Sequence, residues 1–316
     1  MKSNVNLPTR EDVLAASERI AGLVERTPLR EVEIGGHRLW LKCESMQTGG
    51  SFKLRGASNR LALLNESERR AGVVAFSSGN HAQGVAIAAR RLGIPATIVM
   101  PSDAPRPKVE GTRAQGAEIV FYDREREDRV AIAEALAAER GAVVVPSFDD
   151  RHIIAGQGTA GLEILEQCPE PVHQIVVCCG GGGLAAGIAL ACPDADIVTV
   201  EPQGWDDMAR SYAAGAIVPV GPNPPPTRCD ALQTPRVSPL TFGILQARGA
   251  RGLAVSEDEV RAAVRFAWHE LEMIVEPGGA AALAAVLAGK LAPEAGTVVL
   301  VTGSNVDPAL HAALVG

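Results

Sequence analysis

The sequence predicts an α/β protein with two open, twisted and mainly parallel sheets and helices on their faces. Short runs rich in valine and isoleucine, typical of buried strands, alternate with longer stretches of helical periodicity. Glycine or proline stands at many of the short junctions between them. This alternation predicts parallel strands covered on both faces. Two such units would place a cleft where the carboxyl ends of their strands converge.

The first strand–helix series follows one early helix. That helix is predicted over residues 12–25 and stops before Thr27-Pro28, because proline cannot continue it. Strands are then predicted at residues 73–76, 96–100, 118–121 and 142–145. Helices are predicted at residues 81–92 and 108–114, with a charged helix that ends at Arg140.

The second series begins with a predicted helix over residues 158–167. Its predicted strands are residues 174–179, 196–200 and 297–301, and its later helices follow Gly183 and cover 258–272 and 279–287. Residues 216–239 form the only long irregular stretch, and such loops are usually functional. We predict a large domain from residues 1–69 and 148–316 and a small domain from residues 70–147.

Composition excludes several classes of partner. The chain has 316 residues, 47% of them hydrophobic, and a net charge of -7, which argues against nucleic acid and acidic membranes. Apolar runs are too short to cross a bilayer, and residues 1–6 lack the apolar segment of a signal peptide. Six cysteines show no zinc spacing, and adjacent Cys178 and Cys179 would point to opposite faces of a strand. We expect a cytoplasmic protein with reduced thiols.

Four consecutive glycines, residues 180–183, follow a predicted strand and open a predicted helix. Their free N–H groups and the positive end of the helix would favour an anion. No Lys-Ser/Thr pair follows, which excludes the nucleoside-triphosphate loop. A dinucleotide site fits loosely, because acidic Glu201 stands about twenty residues further on. A cofactor phosphate, a dinucleotide and a purely structural turn are equally supported by this segment alone.

Lys53 lies between the apolar Phe52 and Leu54, in a stretch without nearby acids. A partly desolvated amine can be neutral and attack an aldehyde, although surface lysines far outnumber reactive ones. Residues 77–81, Ser-Ser-Gly-Asn-His, stand at another strand-to-helix junction, as a carboxylate cradle or an ordinary N-cap. An amine, a phosphate cradle and a carboxylate cradle together are the equipment of a pyridoxal-phosphate (PLP) enzyme acting on an amino acid.

Five segments in order resemble the fold type II PLP enzymes, which are tryptophan synthase β-like. They are Ser-Phe-Lys-x-Arg-Gly-Ala at 51–57, Ser-Ser-Gly-Asn-His at 77–81, Gly-Gln-Gly-Thr at 156–159, the glycines at 180–183 and Thr-Gly-Ser-Asn at 302–305. Within that group the chain is most similar to the serine/threonine dehydratase and serine racemase branch, over about residues 27–307. The resemblance implies an active site between the two domains and a homodimer.

The resemblance also implies roles for the matching residues. Lys53 would hold PLP covalently and move the α-proton, and Ser78 would act on the opposite face in a racemase. The residues expected to bind the cofactor are Phe52, Lys53, Asn80, Gly180, Gly181, Gly182, Gly183, Leu184, Glu276 and Thr302. Those expected around the substrate carboxylate are Ser77, Ser78, Gly79 and His81.

Two of these segments depart from the family pattern. Ser304 stands where the family more often has glycine, and Gly49-Gly50 precede Ser51 where one glycine is usual. The family's hydroxyl is kept at Thr302, which would face the pyridine nitrogen. A hydroxyl is too weak an acid to protonate that nitrogen, so the ring would stay neutral and favour elimination of a β-hydroxyl over transamination.

Glu201-Pro-Gln-Gly-Trp205-Asp-Asp207 resembles the divalent-cation site of the branch. Glu201, the carbonyl of Trp205 and Asp207 would bind Mg²⁺ or Ca²⁺, since hard cations prefer oxygen ligands. Such an ion would be structural. The alternative is a solvated acidic turn.

Our first hypothesis is a PLP-dependent ammonia-lyase that converts L-serine, L-threonine or a related 3-hydroxy amino acid to a 2-oxo acid and ammonia. A racemase, a dual racemase-dehydratase or a 3-hydroxyaspartate dehydratase is the alternative, although Ala231 and Thr234 replace the glycine and serine that racemases tend to have. A non-catalytic binding protein and an NAD-dependent oxidoreductase are hypotheses from other classes.

Overall fold

Two sheets form the framework of the part of the chain that the computed structural model describes, residues 7–104 and 106–316. The prediction that residues 1–6 are not a signal peptide lies outside the described residues. The strands are β1 (Leu29–Ile34), β2 (His37–Cys43), β3 (Val73–Phe76), β4 (Ala96–Pro101), β5 (Glu118–Tyr122), β6 (Val143–Val144), β7 (Gln174–Cys178), β8 (Asp196–Pro202), β9 (Arg251–Val255) and β10 (Thr297–Val301).

Helices cover both sheets. They are α1 (Arg10–Ile20), α2 (Lys53–Ala62), α3 (Glu66–Ala71), α4 (Asn80–Leu92), α5 (Arg106–Ala114), α6 (Arg129–Arg140), α7 (Arg151–Gln167), α8 (Gly183–Ala191), α9 (Asp207–Ala214), α10 (Pro239–Ala247), α11 (Glu257–His269), α12 (Pro277–Leu287) and α13 (Pro308–Val315), with short 3-10 turns at Glu44–Met46 and Asp230–Leu232. Among these described helices, none has the length and hydropathy required to cross a membrane.

The sheets confirm the predicted fold class. One has six strands in the order β1-β2-β10-β7-β8-β9, and the other has four in the order β5-β4-β3-β6. Pairing is parallel throughout except between β1 and β2. The four-stranded sheet lies inside the predicted small domain, while the domain boundaries themselves stay a prediction.

Several elements differ from the prediction. The first helix ends at Ile20 rather than near residue 25, because Gly22 has a positive φ of 79° and the chain turns there. The strands β1, β2 and β9 and the helices α2, α3, α9, α10 and α13 were absent from the predicted elements. β1 and β9 are only partly buried and β1 carries charged residues, so neither has the apolar run of a central strand.

Alternation of side chains along the central strands separates the core into layers. On β7, Ile175 and Val177 pack in one apolar cluster while Val176 and Cys178 pack in another on the opposite face. A strand projects successive side chains to opposite sides, so both faces of the sheet are apolar. Cys179 belongs to the first cluster, which confirms that the two adjacent cysteines point to opposite faces.

A buried network of four charged side chains joins both parts of the chain that flank the small sheet. Arg55 on α2 donates to both oxygens of Glu44 at 2.8 Å and to Glu163 of α7 at 2.7 Å. Lys42 of β2 contacts the same Glu163 at 2.6 Å. Burial would raise the pKa of Glu44, but Arg55 holds it below its ordinary value. Two cations and two anions thus balance in a largely buried region, where only Glu163 is partly exposed.

We predict that Arg55→Met lowers the free energy of unfolding by roughly 3–5 kcal/mol, because it leaves Glu44 buried without its cation. Urea unfolding measures the loss. Arg26→Met is the matched control, since the Arg26–Glu166 pair has both side chains more than half exposed, and it should cost under about 1 kcal/mol. Equal losses in the two variants would contradict the role assigned to the network.

Candidate active site

Lys53 is the first residue of α2, and distant backbone holds the turn before it. Ser51 forms an isolated antiparallel bridge with Gly303, and the N–H of Phe52 donates to the carbonyl of Thr302 at 3.3 Å. The Lys53 amine donates to the carbonyl of Ser147 at 3.0 Å. The end of β10 and the loop before α7 therefore determine where the amine lies.

The amine of Lys53 is easier to deprotonate than an ordinary lysine. Burial lowers its pKa to about 8, although the acidic groups of Cys178 and Glu276 act in the opposite direction. A substantial fraction is therefore neutral near physiological pH, which nucleophilic attack and proton abstraction both require. Lys53 lines the cavity, as the prediction of a reactive amine there requires.

The four glycines form a cradle at the start of α8. A Cβ on Gly181 would stand 2.3 Å from the ring of Phe148, and one on Gly182, whose φ is 85°, would stand 2.9 Å from Met208. No described residue accepts a hydrogen bond from the N–H groups of residues 180–183. Unpaired amides at a helix start fit a bound anion such as a phosphate.

Asn80 is the first residue of α4 and is held by a chain of amide hydrogen bonds. The Asn80 amide donates to Glu276 at 2.6 Å and accepts from Asn305 at 2.7 Å. Asn305 in turn donates to the carbonyl of Gly49 at 2.8 Å. This chain ties the segment before Lys53 to the starts of α4 and α12.

Glu276 is a buried carboxyl inside the same cavity. Burial and the charge of Asp230 raise its pKa to about 7, while the hydrogen bond from Asn80 and the charges of Lys108 and Lys53 act against them. Glu276 therefore changes its charge in the physiological range. It is the acid whose ionisation acts on the protonation of Lys53.

The cavity brings all ten predicted cofactor-binding residues together. Its lining consists of Phe52, Lys53, Asn80, Ser147, Phe148, Cys178, Gly180, Gly181, Gly182, Gly183, Leu184, Ala231, Leu232, Thr234, Glu276, Gly278 and Thr302. Besides these ten and Ala231 and Thr234, the lining includes Ser147, Phe148, Cys178, Leu232 and Gly278, which were not among the predicted site residues. No local pattern marks them, because only the pairing of distant elements places them here.

The predicted substrate segment lies next to the cavity lining rather than in it. Ser77, Ser78 and Gly79 precede Asn80, and the N–H of Gly79 donates to the Ser77 hydroxyl at 3.1 Å. His81 is buried, contacts the carbonyl of Val145 at 2.9 Å, and has its pKa lowered to about 3 by burial. His81 is therefore neutral, so it would meet a substrate as an uncharged ring.

Both departures from the family pattern have structural partners. The Ser304 hydroxyl donates to the carbonyls of Ser45 at 2.9 Å and Gly50 at 3.3 Å, which ties the loop after β10 to the turn before Lys53. Gly50 has a φ of 72°, and its Cβ would stand 2.5 Å from Asn305. A side chain there would displace the asparagine that orients Asn80.

The hydroxyl of Thr302 contacts the thiol of Cys178, which was not among the predicted site residues. The Cys178 sulfur lies 3.1 Å from the Thr302 hydroxyl oxygen. Burial raises the pKa of Cys178 to about 11, so the thiol is protonated at neutral pH. The hydroxyl thus has an uncharged partner and remains a neutral, weakly acidic group facing the cavity.

The predicted metal ligands lie between β8 and α9. Glu201 accepts at 2.9 Å from the N–H groups of both Met208 and Ala209, and Asp207 accepts from Val237 at 2.8 Å. Burial raises the pKa of Glu201 well above its ordinary value and that of Asp207 to about 6. In the described chain neither carboxylate has a basic side chain as partner.

The donor set of this region suits a hard cation. Across residues 7–104 and 106–316, no group of three or more His, Cys, Asp or Glu side chains is arranged to hold a metal. The predicted set has only two such side chains, Glu201 and Asp207, plus the backbone carbonyl of Trp205. Two buried carboxylates that repel each other fit a cation, with water as its further ligands.

Comparisons with known proteins agree with this geometry. The family model for pyridoxal-phosphate dependent enzymes matches residues 20–303. An L-threo-3-hydroxyaspartate ammonia-lyase from Pseudomonas sp is 43% identical over 98% of this chain and 99% of its own length. The serine racemase of Schizosaccharomyces pombe is 39% identical over 97% of this chain and 97% of its own length. The structure of maize serine racemase matches with a TM-score of 0.91 at 36% identity, covering 96% of this chain and 95% of its own.

We predict that the Lys53 amine of the cofactor-free protein titrates near pH 8, and that Glu276→Gln moves its midpoint lower. The carboxylate stabilises the ammonium form, so its removal favours the neutral amine at lower pH. The measurement is the pH dependence of labelling by an amine-reactive reagent, read on the Lys53 peptide by mass spectrometry.

Glu259→Gln serves as the control for this titration, because Glu259 pairs with Lys290 at the surface. Glu259→Gln should leave the pH midpoint of Lys53 labelling unchanged. A midpoint near that of a free lysine, or one that Glu276→Gln does not lower, would contradict the electrostatic account.

Proposed function

Because the chain belongs to the pyridoxal-phosphate dependent enzymes, with their fold type II architecture, we propose that it is a PLP-dependent ammonia-lyase. Its substrate is L-serine, L-threonine or a related 3-hydroxy amino acid, and its products are a 2-oxo acid and ammonia. The observation that supports this most directly is the Lys53 amine, with its lowered pKa, in one cavity with the glycine cradle.

The residues present fit the cofactor. The amides of residues 180–183 and of Leu184 would hold the phosphate, Lys53 the aldehyde carbon, and Thr302 the ring nitrogen. Phe52, Asn80 and Glu276 would form the rest of the cofactor-binding site. When bound, PLP supplies an electron-withdrawing group that stabilises negative charge at the substrate's Cα.

The protein's own groups bind the substrate and move its protons. The N-terminus of α4, with Ser77, Ser78, Gly79 and His81, would orient the α-carboxylate through the positive end of the helix. The neutral Lys53 amine would take the α-proton as the Cα–H bond breaks. The β-hydroxyl then leaves with a proton as water, and hydrolysis of the released enamine yields the 2-oxo acid and ammonia.

Racemisation is the second candidate, and the serine racemase relatives favour it. It needs an acid on the face opposite Lys53, and Ser78 is the residue proposed for this. Ala231 and Thr234 line the cavity, and they are the two positions where the chain departs from the racemase pattern, so we favour elimination. Chiral analysis of the amino acid left in each lyase assay measures the racemase share.

The hypotheses from other classes lose support. The match to the pyridoxal-phosphate dependent enzymes over residues 20–303 weighs against a dinucleotide site. A non-catalytic binding protein would have no need of a lysine amine with a lowered pKa in the cavity. The alternative 3-hydroxyaspartate dehydratase is supported by the Pseudomonas relative, and it stays within the proposed reaction class.

The proposal includes a structural cation, Mg²⁺ or Ca²⁺, at Glu201, Asp207 and the carbonyl of Trp205. It also includes a homodimer and a cytoplasmic location. The domain division is part of it as well, with a large cofactor-binding domain of residues 1–69 and 148–316 and a small domain of residues 70–147.

We predict that Lys53→Ala lowers ammonia release from L-serine, L-threonine and 3-hydroxyaspartate by ~10³-fold or more, because it removes the base and the covalent attachment. Borohydride reduction and peptide mass spectrometry should find cofactor on the Lys53 peptide of the parent protein only. Lys290→Ala, at a partly exposed lysine that pairs with Glu259, should change neither readout. Substantial turnover by Lys53→Ala would overturn the proposal.

For the cation, we predict that Mg²⁺ or Ca²⁺ raises Tm and that a chelator reverses the rise. An ion present at 100 times its Kd adds about 2.7 kcal/mol to folding free energy. Asp207→Asn should abolish the metal-dependent rise, because it removes a proposed ligand. Asp206→Asn, one residue away and not a proposed ligand, should retain it. If neither Mg²⁺ nor Ca²⁺ changed Tm, the proposed cation site would be refuted.

A further inference from the structure

A thiol and a hydroxyl lie together at the carboxyl ends of two neighbouring strands. Cys178 is the last residue of β7, and Thr302 directly follows β10. The two strands pair in parallel, so their carboxyl ends lie at the same edge of the six-stranded sheet. The Cys178 sulfur lies 3.1 Å from the Thr302 hydroxyl oxygen, and both residues line the cavity. The pair is therefore part of the cavity wall.

Cys178 is the partner that the fold gives to the Thr302 hydroxyl. Within the described residues, the thiol is the group that forms a hydrogen bond with this hydroxyl. Both residues are buried, and the backbone of Thr302 is held on both sides. Its N–H donates to the carbonyl of Gly279 at 3.3 Å, and its carbonyl accepts from Phe52. The freedom that remains is rotation of the hydroxyl, and Cys178 limits it.

The direction of this hydrogen bond decides what the hydroxyl presents to the cavity. A hydroxyl has one hydrogen and two lone pairs, whereas a thiol is a weak donor and a weak acceptor. If the threonine donated to sulfur, only its lone pairs would remain for a ligand. If the thiol donates to Oγ1, the hydroxyl hydrogen is free to point into the cavity. Burial raises the pKa of Cys178 to about 11, so the thiol hydrogen is present at neutral pH.

The ring nitrogen of the proposed cofactor selects one of these directions. An unprotonated ring nitrogen is an acceptor only, so it requires a hydroxyl that donates to it. With the thiol donating to Oγ1 and Oγ1 donating to the nitrogen, each donor meets an acceptor. The reverse direction would leave two acceptors facing each other in a buried site, which is costly. Hydrogen bonds in such a chain also polarise and strengthen one another.

We propose that Cys178 is a positioning residue, which donates to Thr302 Oγ1 and thereby directs the threonine hydroxyl at the ring nitrogen of PLP. This inference rests on the proposed function, in which Thr302 would hold that nitrogen. Cys178 acts through Thr302 and needs no reactive thiolate. Its role therefore differs from that of a nucleophilic or metal-binding cysteine.

A spectroscopic test follows the ring nitrogen directly. The ¹⁵N chemical shift of labelled PLP in the reconstituted protein depends on the hydrogen bond that this nitrogen accepts. Cys178→Ala should move the shift toward that of Thr302→Val, because the hydroxyl can then rotate away. Cys178→Ser keeps a donor in place and should stay near the parent shift. Packing alone would not separate these two variants in this way, since serine and alanine are both smaller than cysteine.

A binding test measures the same contact as an affinity. Cys178→Ala should raise the Kd for PLP by roughly 2- to 10-fold, the range expected for one neutral hydrogen bond. It should add no further loss in a Thr302→Val background, because the two residues act as a unit. Cys43→Ala is the matched control, since Cys43 is buried in the same apolar cluster as Cys178 but lies outside the cavity lining. It should change neither the Kd nor the ¹⁵N shift.

The inference is overturned if alanine and serine at position 178 change the ¹⁵N shift equally, or if neither changes it. A loss of affinity in Cys178→Ala that persists in full beside Thr302→Val would also overturn it and leave Cys178 as a packing residue. The failure of the proposed function looks different. In that case the parent protein binds PLP but releases no ammonia from any 3-hydroxy amino acid, while the ¹⁵N comparison still decides the role of Cys178.

Discussion

The position of the Lys53 amine depends on a buried charge network centred on Arg55, two residues further along the same helix. Arg55 is fully buried and holds Glu44 and Glu163, which belong to the turn after β2 and to α7. Removing charges from water is costly, so this arrangement is stable only when all four charged partners are in place. Any shift of α2 along its axis would break these bonds. The same constraint therefore positions Lys53 at the start of α2.

Close contacts between glycines extend this constraint to the glycine cradle at the start of α8. A Cβ on Gly156 would stand 2.7 Å from the Cα of Gly56, so α7 crosses α2 with their backbones in contact. A Cβ on Gly158 would stand 2.6 Å from the carbonyl oxygen of Gly187, so α7 also crosses α8 closely. α7 thus joins the helix that begins with Lys53 to the helix that begins at the cradle. The Gly-Gln-Gly-Thr motif therefore acts through packing. Its two glycines let α7 lie against both α2, which begins with Lys53, and α8, which begins at the glycine cradle.

The sequence allowed the central strands and the glycine turn before α8 to be predicted, because both have local signals. Buried parallel strands are short apolar runs, and residues 180–183 stand between such a run and a helix. The edge strands β1 and β9 escaped prediction because partial burial weakens their pattern. Cys178 and Ser147 escaped for another reason. Their place beside Thr302 and Lys53 depends on contacts across more than ninety residues of sequence.

The irregular segment between α9 and α10 connects the proposed cation site to the cavity. At its far end, Val237 donates to Asp207, and in its middle the carbonyl of Pro225 accepts from the Trp205 indole at 2.8 Å. The same segment carries Asp230 and the cavity-lining Thr234. A cation bound by Glu201 and Asp207 would hold both anchors in one geometry. The segment begins after α9 and carries one 3-10 turn, Asp230–Leu232, beside the cavity. Hydrogen bonds at its middle and its far end therefore limit how far these cavity-lining residues can move.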